Sequence, residues 1–87
     1  MTKEAIIHQA ELRGLKLDYD KSDGIGKDGR AEHLRYIRFI SNDEKLDEPD
    51  LRWIWYMDDS DEENLKRGDY VKSRLTKKEE VINRLKY

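Results

Sequence analysis

The sequence predicts a single α+β domain over residues 1–87, with an N-terminal helix, a three-stranded antiparallel meander sheet and C-terminal helices packed on one sheet face. Three observations support this class. A capped helical pattern opens the chain, three apolar segments of strand length follow, and two capping-box sequences come after them. A chain of 87 residues has room for one hydrophobic core, so a second domain is not expected.

The first helix is predicted from Lys3 to Arg13. Thr2 supplies an N-cap side chain, and Gly14 follows as a C-terminal stop. The apolar positions of this segment fall on one side at Ile6, Ile7 and Ala10. Strict alternation then predicts a half-buried strand whose inward side chains are Leu15, Leu17 and Tyr19.

Residues 21–30 contain three glycines and two Asp-Gly pairs, which are typical of a hairpin or loop. A second strand is predicted from His33 to Ser41 and a third from Leu51 to Met57, the most apolar segment of the chain. Residues 42–50 between them form an acidic loop that contains the single proline.

Two helices are predicted at the C-terminal end. A short one spans Asp61–Arg67 and ends at Gly68, and a final one spans Lys77–Lys86 with a buried stripe of Val81, Ile82 and Leu85. Residues 70–75 between them fit either a helical turn or a short fourth strand, since both place Val71 and Leu75 inward.

The two sheet faces can be assigned from the cost of burying a charge. Strand three places its odd positions in the core, at Leu51, Trp53, Trp55 and Met57. In strand two, an unpaired Arg38 inside the core would cost about 2 to 5 kcal/mol, so we predict Ile37 and Phe39 inward. The opposite face then carries a mixed set of side chains: Leu34, Tyr36, Arg38, Ile40, Arg52, Ile54 and Tyr56.

This second face is the predicted contact surface, because protein interfaces concentrate Tyr and Arg at their centres. The partner-binding residues predicted on the sheet are Tyr36, Arg38, Arg52, Ile54 and Tyr56. The alternative is that the C-terminal segment folds over this face and makes it a second core.

Charge is unevenly distributed although the net charge is only −2. Residues 42–63 hold ten acids and two bases, and residues 64–87 hold eight bases and three acids. The two segments either neutralise each other or mark a partner. The densest acidic part, residues 58–63, has three interpretations: a solvated helix start, recognition of a basic surface on another protein, or a calcium loop. The calcium interpretation is weakened because this segment lacks the alternating oxygen ligands of such a loop. Its predicted partner-binding residues are Asp58, Asp59, Asp61 and Glu62.

No catalytic residue, cofactor or metal site is predicted. Cysteine is absent, which excludes disulfides and thiolate chemistry, and the segment Gly24 to Lys27 lacks the first glycine and the hydroxyl residue of a phosphate loop. His8 shares a helix face with Glu4 and Glu11, but a fourth metal ligand is missing. We expect no membrane span and no leader peptide, and therefore a cytoplasmic protein.

These observations favour a small non-enzymatic protein-interaction module. In size and charge density the chain resembles the small proteins by which phages and mobile elements bind and inhibit host proteins, which implies a modulator or inhibitor. The alternative is a nucleic-acid-binding module that uses the sheet Tyr and Arg residues and the basic C-terminal segment. The predicted element order of this chain resembles the double-stranded-RNA-binding fold, with Lys77 and Lys78 as the basic start of the second helix. The sequence also allows a homodimer that forms through the sheet face.

Overall fold

A computed structural model describes residues 1–25, 28–31, 33–41 and 51–85 of the chain. The elements follow the order α1 (Lys3–Leu12), β1 (Leu15–Lys21), β2 (Tyr36–Ser41), β3 (Arg52–Tyr56) and α2 (Asp61–Leu85). The three strands form one antiparallel sheet in the order β1-β2-β3. The predicted α+β arrangement with a meander sheet is confirmed. The acidic loop predicted at residues 42–50 and the last predicted helical residue, Lys86, lie outside the described residues.

Helix α1 has the predicted caps. The hydroxyl of Thr2 accepts a hydrogen bond from the backbone N–H of Ala5 at 3.2 Å, and Gly14 leaves the helix with a φ of +76°. Ile6 and Ala10 are completely buried against the sheet. The short apolar stripe of α1 is therefore sufficient to fix the helix on the sheet.

Strand β1 departs from the predicted alternation. Leu17 pairs with Phe39, but the next pair joins Tyr19 to Arg38, so Asp18 is an extra residue in β1. An inserted residue moves the following side chains to the other face of a sheet. The prediction that Tyr19 faces inward is therefore wrong, and Leu17 is itself 44% exposed on this outer strand.

The core lies between the two helices and one face of the sheet. Ile37 and Phe39 are completely buried, and Trp53 and Trp55 are at most 2% exposed. Leu51 is buried beside them, and Met57 packs against the same cluster. The predicted inward sets of the second and third strands are confirmed, and Arg38 lies on the opposite face.

Helix α2 packs on the same sheet face as α1. Its residues Val71 and Leu75 belong to the core cluster that contains Trp53 and Trp55. The alternative in which the C-terminal segment covers the Arg38 face is therefore wrong for the described part of α2. That face, which neither α1 nor α2 covers, is called the open face below.

The C-terminal part is one continuous helix of 25 residues, so the predicted pair of helices and the possible fourth strand at residues 70–75 are both wrong. Gly68 does not end the helix; it lets the helix approach the sheet. A Cβ atom at position 68 would lie 2.7 Å from Cζ2 of Trp53 and 2.9 Å from Nε of Arg13. Close packing, and not a turn, therefore explains this glycine.

The last turns of α2 extend beyond the sheet. A helix of 25 residues is about 37 Å long, whereas a seven-residue strand spans only about 23 Å. Leu75 is buried, but Val81 is 54% exposed and Leu85 is 83% exposed. The predicted burial of Val81 and Leu85 is wrong, and the side chain of Ile82 lies outside the described part.

Candidate functional site

Three tyrosines, one from each strand, form a row across the open face. The ring centroids of Tyr19 and Tyr36 are 6.1 Å apart, and those of Tyr36 and Tyr56 are 6.4 Å apart. The strand register places Tyr36 directly opposite Tyr56, and the extra residue in β1 brings Tyr19 to the same face. These three residues are called the tyrosine row. Such neighbouring rings stabilise one another by about 0.5 to 1.5 kcal/mol beyond the area they bury.

Each ring of the tyrosine row also contacts a cation. The guanidinium of Arg38 lies 5.6 Å from the centroid of Tyr19, and that of Arg67 lies 5.1 Å from the centroid of Tyr56. The ammonium of Lys21 lies 4.5 Å from the centroid of Tyr36. Arg67 belongs to α2, so it reaches around the outer edge of β3 to meet the sheet. Contacts of this kind, at about 0.5 to 1 kcal/mol each, hold the rings in place.

Arg38 lies in the middle of the open face and has a carboxylate partner. Its Nε donates to Oδ2 of Asp18 at 2.6 Å, and the two side chains are 29% and 30% exposed. Asp18 is the extra residue of β1, so the same irregularity that turns Tyr19 to this face also supplies the anion. The cost of holding an arginine among aromatic rings is reduced because its charge is paired.

The predicted acidic site residues all form ion pairs within the chain. Asp58 accepts from Arg35 at 2.8 Å and Asp59 from Arg67 at 3.0 Å, so both lie beside the Tyr56 end of the tyrosine row. Asp61 and Glu62 lie instead at the start of α2, where they pair with the terminal amine of Met1 and with Lys66. The side chain of Asp58 stays 66% exposed and that of Glu62 80% exposed, so these carboxylates remain accessible.

The start of α2 has the predicted capping chemistry. The hydroxyl of Ser60 accepts a hydrogen bond from the N–H of Glu63 at 3.2 Å. Acidic residues fill the first turn, where they interact favourably with the helix dipole. This structural role accounts for Asp61 and Glu62 without a partner.

Asn64, which the sequence did not identify, fixes the edge of the site. Its side chain is completely buried, and its Oδ1 accepts from the N–H of Tyr56 at 3.0 Å while its Nδ2 donates to the carbonyl of Tyr56 at 2.9 Å. Nδ2 also donates to the carbonyl of Ser60, and Arg67 donates to Oδ1. Trp53 completes the arrangement by donating its Nε1–H to the backbone carbonyl of Asn64 at 3.0 Å.

The structure brings the five predicted sheet residues together on one side. Arg38 pairs with Ile54, Tyr36 pairs with Tyr56, and Arg52 pairs with Ile40 at the far end. Ile54 and Tyr56 are half-buried, and Arg52 is exposed. Sequence reasoning missed Tyr19 and Lys21 as open-face residues because the alternation of β1 carries no mark of the extra residue, and it gave no role to Asp18 because the Arg38 pair is a contact between strands.

Comparison of the chain with protein-family models, curated proteins and solved structures gave no match. The site is therefore interpreted from its own geometry. Helix α2 begins with acidic residues, and Lys77 and Lys78 lie in its C-terminal half. The resemblance to the double-stranded-RNA-binding fold implies basic residues at the start of this helix, but the structure places acidic residues there.

Two further findings concern the described residues. Within them, no group of three His, Cys, Asp or Glu side chains is placed to hold a metal ion. Among the helices the structure describes, none has the length and apolar character needed to cross a membrane. His8 is exposed on α1.

Proposed function

We propose that this chain is a non-enzymatic protein-interaction module that binds another protein through its open face. The observation that carries the proposal is the tyrosine row on a sheet face that neither helix covers. Arg38 lies in the middle of that face. Tyrosine and arginine side chains give large, amphipathic contact area, and they dominate binding energy at the centres of protein interfaces.

The open face is also organised before any partner arrives. Each tyrosine is half-buried between its neighbours and a cation, so few rotamers are left to lose on binding. Ordering a flexible side chain at an interface costs about 0.5 to 1.5 kcal/mol. A pre-arranged row avoids much of that cost, which favours binding through this surface.

The pairing of three arginines in and around the open face favours a protein partner over a nucleic acid. Arg35, Arg38 and Arg67 each have a carboxylate partner within the chain, so a phosphate backbone would have to displace Asp58, Asp18 or Asp59. The accessible oxygens of Asp58 and Asp59 instead suit a partner that presents basic side chains around an apolar centre. We therefore propose a partner with a basic surface.

The proposal extends to the role that size and charge density suggest. A chain of 87 residues with 44% charged side chains resembles the small proteins by which phages and mobile elements modulate host proteins. A modulator or inhibitor acting in the cytoplasm is the form of this function that we propose.

The test is capture of a partner by immobilised protein from a cell lysate, with and without nuclease treatment, followed by titration of the purified partner. We expect Tyr36→Ala and Arg38→Ala each to weaken binding by about thirtyfold, which corresponds to the loss of a central interface residue. Lys77→Ala is the matched control, because Lys77 is exposed on α2 away from the sheet, and it should bind like the parent protein.

Three outcomes contradict the proposal. One is equal partner binding by the parent protein and Tyr36→Ala. Another is retention of nucleic acid alone, with nothing left after nuclease treatment, which would support the alternative function through the basic half of α2. The third is a dimeric mass in solution that Tyr36→Ala converts to a monomeric mass, because the open face would then be an interface between two copies.

A further inference from the structure

A groove lies between the outer edge of β3 and helix α2. It has a volume of about 460 Å³; its strand side includes Arg52 and Ile54, and its helix side includes Lys66, Tyr70 and Arg74. Since the sheet order is β1-β2-β3, strand β3 has β2 on one side only. Among the described residues no strand pairs with the other edge of β3, so the part of the chain that the structure describes leaves the edge beside the groove open.

The backbone groups that face this groove can be assigned from two hydrogen bonds. The N–H of Met57 donates to the carbonyl of Arg35 at 3.0 Å, on the β2 side of the strand. The N–H and carbonyl of Tyr56 bond instead to the side chain of Asn64, on the outer side. Backbone groups two residues apart in a strand point the same way, so those of Ile54 and Arg52 point into the groove.

Asn64 already occupies the first position along this edge. Its primary amide offers one carbonyl and one N–H to Tyr56, which is the pairing that a peptide group of an added strand would make. Among the described residues, none makes the equivalent contact with Ile54 or Arg52. The edge is therefore closed at one end by a side chain and available over the next two outward-facing residues.

The other outer strand is protected, which makes the difference at β3 informative. β1 carries an irregularity and a succession of charged residues, Lys16, Asp18, Asp20 and Lys21. These are devices by which natural sheets prevent pairing with another chain. β3 reads Arg-Trp-Ile-Trp-Tyr, a sequence of high strand propensity with a single charge.

The charge on the groove defines what it would take. Four cations line it: Arg52, Lys66, Arg67 and Arg74. Lys66 and Arg67 pair with Glu62 and Asp59, neither of which lines the groove. Within the part of the chain that the structure describes, Arg52 and Arg74 have no carboxylate partner. Among the described residues, the groove therefore combines an open strand edge with two arginines that have no carboxylate partner.

We propose that the groove binds an extended acidic peptide, which adds as a fourth strand beside β3 with alternate carboxylates directed at Arg74 and the other cations of α2. Main-chain hydrogen bonds to Ile54 and Arg52 supply affinity, and alternate side chains of the peptide meet the cations of α2. This site is distinct from the open face, although it deepens the same protein-binding function.

The same features disfavour two other occupants. A second copy of this chain, paired β3 to β3, would place its own Lys66, Arg67 and Arg74 against those of the first copy. A nucleic acid would satisfy the cations, but it lacks the alternating N–H and carbonyl groups that match the open edge. Both are outcomes that the experiment separates.

The experiment measures fluorescence anisotropy with a labelled seven-residue peptide in which Val and Glu alternate. We expect saturable binding that falls at least about tenfold when Glu is replaced by Lys, and by a similar factor when alternate peptide nitrogens are methylated. In the protein, Arg74→Glu should weaken binding about tenfold. Lys77→Glu makes the same charge change on α2 outside the groove and should leave binding unchanged.

Amide exchange supplies a readout at the strand itself. The amide of Ile54 should exchange more slowly when the Val-Glu peptide is bound, because its N–H becomes hydrogen-bonded. The inference is overturned by an absence of saturation up to about 1 mM peptide, by unchanged exchange at Ile54, or by equal binding of the methylated peptide. A twelve-nucleotide oligo(dT) that binds more tightly than the peptide, or dimerisation lost in Arg74→Glu, also overturns it in favour of the other occupants. Tyr36→Ala should still bind the peptide, so failure of the open-face proposal is distinguishable from failure here.

Discussion

Substitution of Gly68 by alanine should destabilise the protein, although alanine is the better helix former. In an exposed helical position the change would stabilise by about 1 kcal/mol, since glycine loses more conformational freedom on folding. At position 68, however, the added Cβ would lie 2.7 Å and 2.8 Å from two ring carbons of Trp53 and 2.9 Å from Nε of Arg13.

The magnitude follows from how little these neighbours can move. Trp53 is 1% exposed, stacks near Phe39 with ring centroids 5.4 Å apart, and donates its indole N–H to the carbonyl of Asn64. The side chain of Arg13 is 9% exposed and bonds to Asp69 at 2.7 Å. Overpacking of a fixed core costs about 1 to 3 kcal/mol, and three contacts below 3.0 Å place Gly68→Ala in the upper part of that range, about 2 to 3 kcal/mol. After the gain of about 1 kcal/mol in helix propensity, the net destabilisation should be about 1 to 2 kcal/mol.

Thermal unfolding followed by circular dichroism measures this effect. A loss of 1 kcal/mol lowers the Tm of a domain of this size by about 4 to 8 °C. Ser73→Ala, on the exposed side of α2, is the matched control and should raise the Tm slightly. Trp53→Phe removes the two ring carbons involved, so in that background Gly68→Ala should be neutral or stabilising. A Gly68→Ala protein more stable than the parent would refute the close-packing explanation.

Three more predictions concern the frame of the molecule. Asn64→Ala should cost about 2 to 4 kcal/mol in denaturant unfolding, because it leaves the part-buried N–H and carbonyl of Tyr56 without partners. Partial burial acts to raise the pKa of Asp20, but hydrogen bonds from Ser22 and Lys3 outweigh it and hold that pKa below 3.8. The hydrogen bond to Asp20 in turn raises the pKa of Lys3 above 10.5. The stability that the Asp20 carboxylate contributes is present above pH 3.8 and is lost as the pH falls through its lowered pKa. The stability that Lys3 contributes is present below pH 10.5 and is lost as the pH rises through its raised pKa. Asp20→Asn should therefore flatten a plot of Tm against pH at both ends. Deletion of residues 77–87 should lower the Tm by less than about 8 °C, because the last buried residue of α2 in the described core is Leu75.

The faces of two strands could be predicted because each carried a clear physical signal. Burial of an unpaired arginine is costly, so Arg38 fixed the orientation of β2, and the register of the structure agrees by placing Arg38 opposite Ile54. The four alternating apolar residues of β3 gave the same answer independently. Where a physical cost separates two arrangements by several kcal/mol, pattern reasoning succeeded.

Two features could not be derived from alternation or capping alone. The extra residue in β1 changes a face without changing the composition of the strand, so Tyr19 looked like a core residue. In α2, the positions that contact the sheet include Asn64 and Gly68, which are not large apolar residues. The sequence pattern therefore predicted two short helices with a stop at Gly68, where the structure has one continuous helix. Both errors came from tertiary contacts that no local pattern records: the Asp18–Arg38 pair and the approach of Gly68 to Trp53.

The two proposed sites meet at Tyr56, which gives them a physical route of communication. The ring of Tyr56 belongs to the tyrosine row, while its backbone is held by Asn64 at the start of the β3 groove. Arg67 touches both sides, because its guanidinium lies over the ring and also donates to Asn64 and Asp59. A partner on the open face that draws Asp59 away would free Arg67 to meet a carboxylate in the groove. Because coupling between two binding equilibria is reciprocal, a peptide in the groove would then strengthen binding at the open face by the same factor.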